Sequence, residues 1–195
     1  MSIKRIPFNF PIFLTWLRIA AIPLLVVIYY VPADIMTLPQ KNLLATILFI
    51  SAAVTDWFDG YLARKWSQTS SFGAFLDPVA DKLIVAAALL VLLNFDRVPV
   101  WVALVIIGRE ITISALREWM AQIGASASVA VHFLGKFKTA TQLIAISFLL
   151  YDDKLFGVIP CGAVGRVLIM IATALTLWSM FYYLKKAWPV IAEKS

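Results

Sequence analysis

Residues 54–82 read VTDWFDGYLARKWSQTSSFGAFLDPVADK. Four carboxylates, Asp56, Asp59, Asp77 and Asp81, stand in this stretch, which otherwise lies within two long apolar runs, Leu43–Arg64 and Phe72–Leu93. A polar segment, Ser67-Gln-Thr-Ser-Ser71, separates the runs and reads as a turn. Two helices joined there form an antiparallel hairpin. Asp56 and Asp59 are three apart and share a helix face; Asp77 and Asp81 are four apart and share one too. Asp59 lies nine residues before Gln68 and Asp77 nine after it. At about 1.5 Å of rise per residue, both sit roughly 8 Å in from the helix ends nearest the connection. The four carboxylates can therefore converge on one point.

Composition explains why that matters. Of 195 residues, 62% are hydrophobic and 14% charged, against roughly 45–50% and about 25% in soluble domains. Mean hydropathy is +0.89. A soluble chain of this length has too little interior to hide so much apolar surface, and disorder is excluded by the same figures. The net charge of +6 is not gathered in one dense block, which argues against nucleic acid as a partner. A single cysteine, Cys161, excludes an internal disulfide framework and reads as a small apolar filler.

The expectation is an all-α integral membrane protein, one domain over residues 1–195, with six transmembrane helices of about 20 residues each. They run roughly Pro11–Val31, Leu43–Arg64, Phe72–Leu93, Val98–Met120, Val131–Tyr151 and Val158–Leu184. Residues 1–10 mix Lys4 and Arg5 with Ile and Phe, too polar to span and suited to the interface. They lack the cleavage pattern of a signal peptide. Lys4, Arg5, Arg64, Lys65, Arg117, Lys136, Lys138, Lys185, Lys186 and Lys194 collect on one side, against Lys41, Arg97 and Lys154 on the other. The richer side reads as cytoplasmic, with both termini and the carboxylates facing it.

Only eleven residues of the chain are acidic, and an ionised carboxylate in a bilayer is expensive enough to read as functional. Four together need protonation or a cation. With no His or Cys nearby, the ligands are all oxygen, which suits Mg²⁺, Mn²⁺ or Ca²⁺. Four carboxylates suit two such ions, an arrangement that often handles phosphate esters. Gly60, Ala63, Gly73 and Ala74 flank the acids and allow close helix approach or leave room for a ligand.

Together these residues read Asp56-x2-Asp59-Gly60-x2-Ala63-Arg64-x8-Gly73-x3-Asp77-x3-Asp81. Eight specified residues over 26 positions resemble the full signature of the CDP-alcohol phosphotransferase family. Residues 54–60, 72–82, Gly108-Arg-Glu110, 114–120 and Gly135-Lys-Phe-Lys-Thr139 resemble the bacterial phosphatidylglycerophosphate synthases of that family. The resemblance implies transfer of a phosphatidyl group from CDP-diacylglycerol to sn-glycerol 3-phosphate, with release of CMP, in the bacterial inner membrane. It implies divalent metals, Mg²⁺ or Mn²⁺, two per site, on Asp56, Asp59, Asp77 and Asp81. It implies Asp81 as general base, and Asp56, Gly60, Ala63, Arg64 and Gly73 at the CDP-diacylglycerol. It also implies a homodimer among membrane lipids.

An acceptor such as glycerol 3-phosphate is a dianion and needs fixed positive charge. The candidates are Arg109, Arg117, Lys136 and Lys138. Arg109, inside the fourth span, is the most suggestive, because arginine binds phosphate with two parallel bonds. Glu110 reads as a partner for a nearby cation and Lys82 as an offset to carboxylate charge. Arg166 reads as snorkelling outward, His132 as structural, and Trp66 and Trp188 as interface anchors. Arg18 either faces a cavity or snorkels. The alternatives are the same chemistry with another acceptor, such as inositol phosphate, and a divalent-cation or proton transporter. The clustering of the acids near one face counts against a transport path.

Overall fold

The computed structural model describes residues 10–66, 71–124 and 133–194, with side chains over 13–56, 76–124 and 137–192. Of the expected interfacial segment only Phe10 lies within the described residues, and the connections around 67–70 and 125–132, with His132, lie outside them. The chain divides into two compact units at Val91–Leu92. Among the described residues the regular structure is helical apart from one short strand pair.

In the first unit α1 spans Phe10–Val27 and tightens into a 3-10 turn at Ile28–Tyr30. It is followed by α2, Leu38–Trp66, and by α3, which starts at Ser71 and continues to Asn94. Helix α2 begins five residues before the expected Leu43, because residues 37–40 build a helix start. The Gln40 side-chain oxygen accepts from the Thr37 N–H at 2.9 Å and from its hydroxyl at 3.0 Å, so the third residue of the helix reaches back to the cap. Pro39, which reads as a break, is tolerated in the first turn, where its missing N–H has no intrahelical partner. Lys41 is 8% exposed and donates to the Tyr29 and Val31 carbonyls, satisfying acceptors left open where α1 ends. Helix α1 packs along α2, with Ala21, Leu25, Ala45, Phe49 and Ala52 buried.

In the second unit α4 spans Val100–Gln122, α5 Phe133–Tyr151 and α6 Cys161–Lys194. Helix α6 packs on both α5 and α4. The expected Val98 start of α4 is displaced to Val100 because Pro99 is extended and caps it. The expected sixth span, Val158–Leu184, is corrected at both ends. Strands β1, Lys154–Leu155, and β2, Ile159–Pro160, pair antiparallel through a turn with Phe156 and Gly157 at positive φ, so the helix starts only at Cys161. It then runs ten residues past Leu184, because Ala187, Val190 and Ile191 still pack with Tyr183 against Ile113, Leu116 and Met120 of α4 and the Ile123 that caps it.

Helix α6 buries several polar side chains and exposes many large apolar ones. Along α6 the buried positions include Thr173, Thr176, Ser179 and Tyr183, while Val167, Met170, Ile171, Leu177, Trp178 and Phe181 are exposed. The buried threonines return their hydroxyls to the backbone four residues earlier, so they carry no unpaired donor inward. An apolar face of this kind suits contact with lipid or with another helix. Among the described residues three helices are long and apolar enough to cross a bilayer, at Phe13–Tyr30, Leu38–Asp56 and Cys161–Ala192. The charges of the acid and cation sites interrupt the apolar runs of α3 and α4.

Candidate active site

The acid site is built on one turn of α1. Thr15 and Arg18 stand three residues apart, hence on the same helix face. The Thr15 hydroxyl donates to Asp77 Oδ1 at 2.7 Å. Arg18 Nη1 donates to Asp56 Oδ1 at 2.9 Å and to Asp81 Oδ1 at 2.5 Å. One guanidinium nitrogen thus joins a carboxylate of α2 to a carboxylate of α3. The Arg18 side chain is 1% exposed while those of Asp56 and Asp81 are each 41% exposed. Of the two readings open for Arg18, snorkelling is excluded by that burial. The acids keep an accessible edge and the arginine closes the floor beneath them.

Three of the four expected metal-binding carboxylates are therefore held by one helical turn. Asp59, Gly60, Ala63 and Arg64 lie on α2 and Gly73 on α3, and the side chains of all five lie outside the described residues. Among the described residues no three His, Cys, Asp or Glu side chains are grouped closely enough to hold a metal unaided. The donors that are present fit a hard divalent cation in kind. They are carboxylate oxygens on two helices, with Asp56 and Asp81 partly exposed and bound by the Arg18 guanidinium, Asp77 bound by the Thr15 hydroxyl, and no soft ligand among the described residues nearby.

The second unit carries a separate cationic cluster. Arg109 of α4 is 7% exposed and Lys138 of α5 is 1% exposed. Both meet Glu110. Lys138 Nζ donates to Glu110 Oε1, and Arg109 Nη1 reaches the same oxygen at 3.4 Å. Arg109 Nη2 donates to the Ser179 hydroxyl at 3.1 Å. The Tyr183 ring lies under two guanidinium groups, with Arg109 Cζ at 5.7 Å and Arg117 Cζ at 5.3 Å from its centroid, an arrangement that attracts cations to the ring face. Arg109 Nε and Arg117 Nε are buried with no hydrogen-bond partner among the described residues. Two arginines and a lysine against one glutamate leave an excess of positive charge. Unused N–H groups on buried guanidiniums are what an anion would satisfy.

Three of the four expected phosphate-binding residues, Arg109, Arg117 and Lys138, are thus brought together; the side chain of Lys136 lies outside the described residues. Glu110 partners two cations, as expected. Thr15, Ser179 and Tyr183 carry no signal by themselves in the sequence. Thr15 could have been found only from its position one turn before an intramembrane arginine.

The chain resembles characterised proteins along most of its length. The model of the CDP-alcohol phosphatidyltransferase family matches residues 8–178. Relatives named CDP-diacylglycerol–glycerol-3-phosphate 3-phosphatidyltransferase align over 183 residues. That of Haemophilus influenzae is 45% identical over 92% of this chain and 94% of its own. That of Pectobacterium atrosepticum is 48% identical over 92% and 95%, and that of Escherichia coli K12 is 46% identical over the same shares.

Proposed function

The chain belongs to the CDP-alcohol phosphatidyltransferase family, and on that premise we propose that it transfers the phosphatidyl group of CDP-diacylglycerol to sn-glycerol 3-phosphate. The products are phosphatidylglycerophosphate and CMP. What carries this reading is the likeness to enzymes of that name along nearly the whole chain.

In the reaction the 1-hydroxyl oxygen of glycerol 3-phosphate attacks the phosphorus that bears the diacylglycerol. The bond from that phosphorus to the CMP oxygen breaks, and CMP leaves with the electron pair. Asp81 takes the hydroxyl proton, a role open to a carboxylate within hydrogen-bond reach. Asp56, Asp59, Asp77 and Asp81 would hold two divalent ions, Mg²⁺ or Mn²⁺. When bound, such ions neutralise the diphosphate and the charge growing on the departing CMP. Asp56, Gly60, Ala63, Arg64 and Gly73 line the CDP moiety. The Arg109, Arg117 and Lys138 cluster, together with Lys136, takes the acceptor phosphate, and Glu110 fixes where Lys138 and Arg109 point.

The setting follows from the same reading. The whole chain acts as one domain, with six spans and an interfacial N-terminal segment, in a bacterial inner membrane. Both termini and the carboxylates face the cytoplasm, and the working form is a homodimer. The acyl chains of the lipid substrate stay in the bilayer, so a shallow carboxylate site with an exposed edge is the geometry the substrate needs.

The test is CMP release from CDP-diacylglycerol by the purified full chain, with sn-glycerol 3-phosphate, serine or inositol phosphate as acceptor and with or without EDTA. Release only with glycerol 3-phosphate, abolished by EDTA and restored by Mg²⁺ or Mn²⁺, is the expected outcome. Release with another acceptor alone sinks the assignment, and release undiminished by EDTA sinks the metal reading.

A further inference from the structure

Arg18 stands outside the eight-residue motif, yet it touches two of the motif's acids and is the more buried partner of both pairs. We infer that Arg18 is a resident counter-charge that holds the acid site together when no divalent ion is bound and competes with that ion for Asp56 Oδ1 and Asp81 Oδ1. The inference rests on the acids being the divalent-metal site proposed above.

The physical case starts from repulsion. Asp56 and Asp81 come from different helices, and their ionised carboxylates repel one another. Without a cation between them the helices would part or the acids would take up protons. Arg18 Nη1 lies within 2.9 Å of one carboxylate and 2.5 Å of the other, so a permanently charged group already occupies that position. Thr15, one turn earlier, donates to Asp77 Oδ1 at 2.7 Å without adding charge. The turn therefore orients all three described acids while neutralising only part of their charge, and the Asp56 and Asp81 side chains stay 41% exposed.

The same geometry sets up competition. A divalent ion that takes Asp56 Oδ1 and Asp81 Oδ1 draws on the two oxygens that Arg18 uses, and it places a second positive charge beside a buried one. Whatever Arg18 gives to the ion-free site, it subtracts from ion affinity, since coupling between two ligands of one site is reciprocal. Arg18 is thus a positioning residue whose removal weakens the empty site and strengthens ion binding. A merely structural arginine does not do the latter.

The experiment is a Mn²⁺ titration by electron paramagnetic resonance, paired with thermal unfolding in EDTA and in Mn²⁺, on the full chain in detergent. Wild type, Arg18→Gln and Arg18→Lys are compared. Arg18→Gln is expected to melt lower in EDTA and to bind Mn²⁺ roughly tenfold more tightly, the scale of one neighbouring charge removed at high effective dielectric. Its melting temperature then rises more on adding Mn²⁺ than that of wild type. Arg18→Lys keeps the charge and the wild-type affinity. Equal or weaker Mn²⁺ binding by Arg18→Gln overturns the role of Arg18 while leaving the metal site standing. No Mn²⁺ binding by wild type overturns the metal site and the competition with it. Should Arg18→Gln fold only when purified with Mn²⁺, the ion has replaced the missing charge and the inference holds; failure to fold even then overturns it.

Discussion

An aspartate changed to asparagine keeps its shape and loses its charge, so Asp77→Asn separates charge from packing. The Thr15 hydroxyl can still donate to the remaining side-chain oxygen at Asp77, and the helix keeps its local contacts. Turnover, read as CMP release, is expected to fall about 100-fold or more, since charge stabilisation at a transferring phosphoryl group is worth several kcal/mol. The melting temperature should stay within a few degrees of wild type; near-normal turnover would falsify the carboxylate's role. Arg109→Ala makes the complementary test. It removes the guanidinium that touches Glu110, Ser179 and the Tyr183 ring. The KM for glycerol 3-phosphate should rise about tenfold or more, the scale of a lost charge-assisted bond, with the KM for CDP-diacylglycerol little changed. Equal changes in both would mark Arg109 as structural. At this scale the acids were legible because a carboxylate inside an apolar run is costly and therefore conspicuous. Arg109 was legible for the same reason with the opposite sign, whereas Lys138 stood out only as a cation at the start of the fifth span. Arg18 stayed open between two readings because depth along a helix does not say which way a long side chain turns; burial does. Ser179 and Tyr183 were invisible, since a serine and a tyrosine on a long apolar helix say nothing about which face meets an arginine.

Helices α5 and α6 show how elements are locked by small residues and by caps. A Cβ built at Gly165 would stand 2.8 Å from Leu149 Cγ and 3.1 Å from the Leu149 backbone nitrogen. Backbone cannot yield as a side-chain tip can, so α6 lies against α5 only because nothing projects there. Gly165→Val is expected to destabilise the chain by about 1–3 kcal/mol, the usual cost of overpacking, seen as a lower melting temperature in detergent. Gly108→Ala is the control, because nothing among the described residues lies within 4 Å of a Cβ built there, and it should leave stability unchanged or slightly raised. A Gly165→Val protein as stable as that control would show that α5 and α6 can separate at no cost. At the end of α5, Arg97 Nη1 donates to the Leu149 and Leu150 carbonyls at 3.0 Å each and its Nε pairs with Asp152 at 3.1 Å. That arginine serves as a cap. The existence of the helices could be read from apolar run length, and the ends of α3 were placed within a residue. The misplaced ends have local causes. Thr37 and Gln40 start α2 early through side-chain bonds that a polar turn signal hides, and residues 158–160, which include the second strand of the pair, are apolar enough to read as the start of α6.

On the scale of the whole molecule, the same cations decide orientation. Lys41, Arg97 and Lys154 are the positive charges expected on the non-cytoplasmic side. Two of them are already engaged. Lys41 is buried on the carbonyls at the end of α1, and Arg97 is buried against Asp152 and the carbonyls of α5. Charge that is buried and bonded to its own chain has little left to offer the membrane surface, so the asymmetry behind the positive-inside rule is steeper than the bare count. The prediction is a topology with Asp34 and Asp153 on the outer side and the C-terminus inside. It can be read in a Cys161→Ser background with single cysteines introduced as Asp34→Cys, Asp153→Cys and Ser195→Cys. A membrane-impermeant maleimide applied to right-side-out inner-membrane vesicles should label the first two, and Ser195→Cys only after permeabilisation. Residues 34 and 153 are parted by an even number of crossings in a six-span chain, and 153 and 195 by one. Labelling of Asp34→Cys and Ser195→Cys from the same side would require an even number of crossings between them and would refute the six-span arrangement. Labelling of all three with sides exchanged would keep the spans and reverse the orientation, placing the carboxylates away from the cytoplasmic pool of glycerol 3-phosphate.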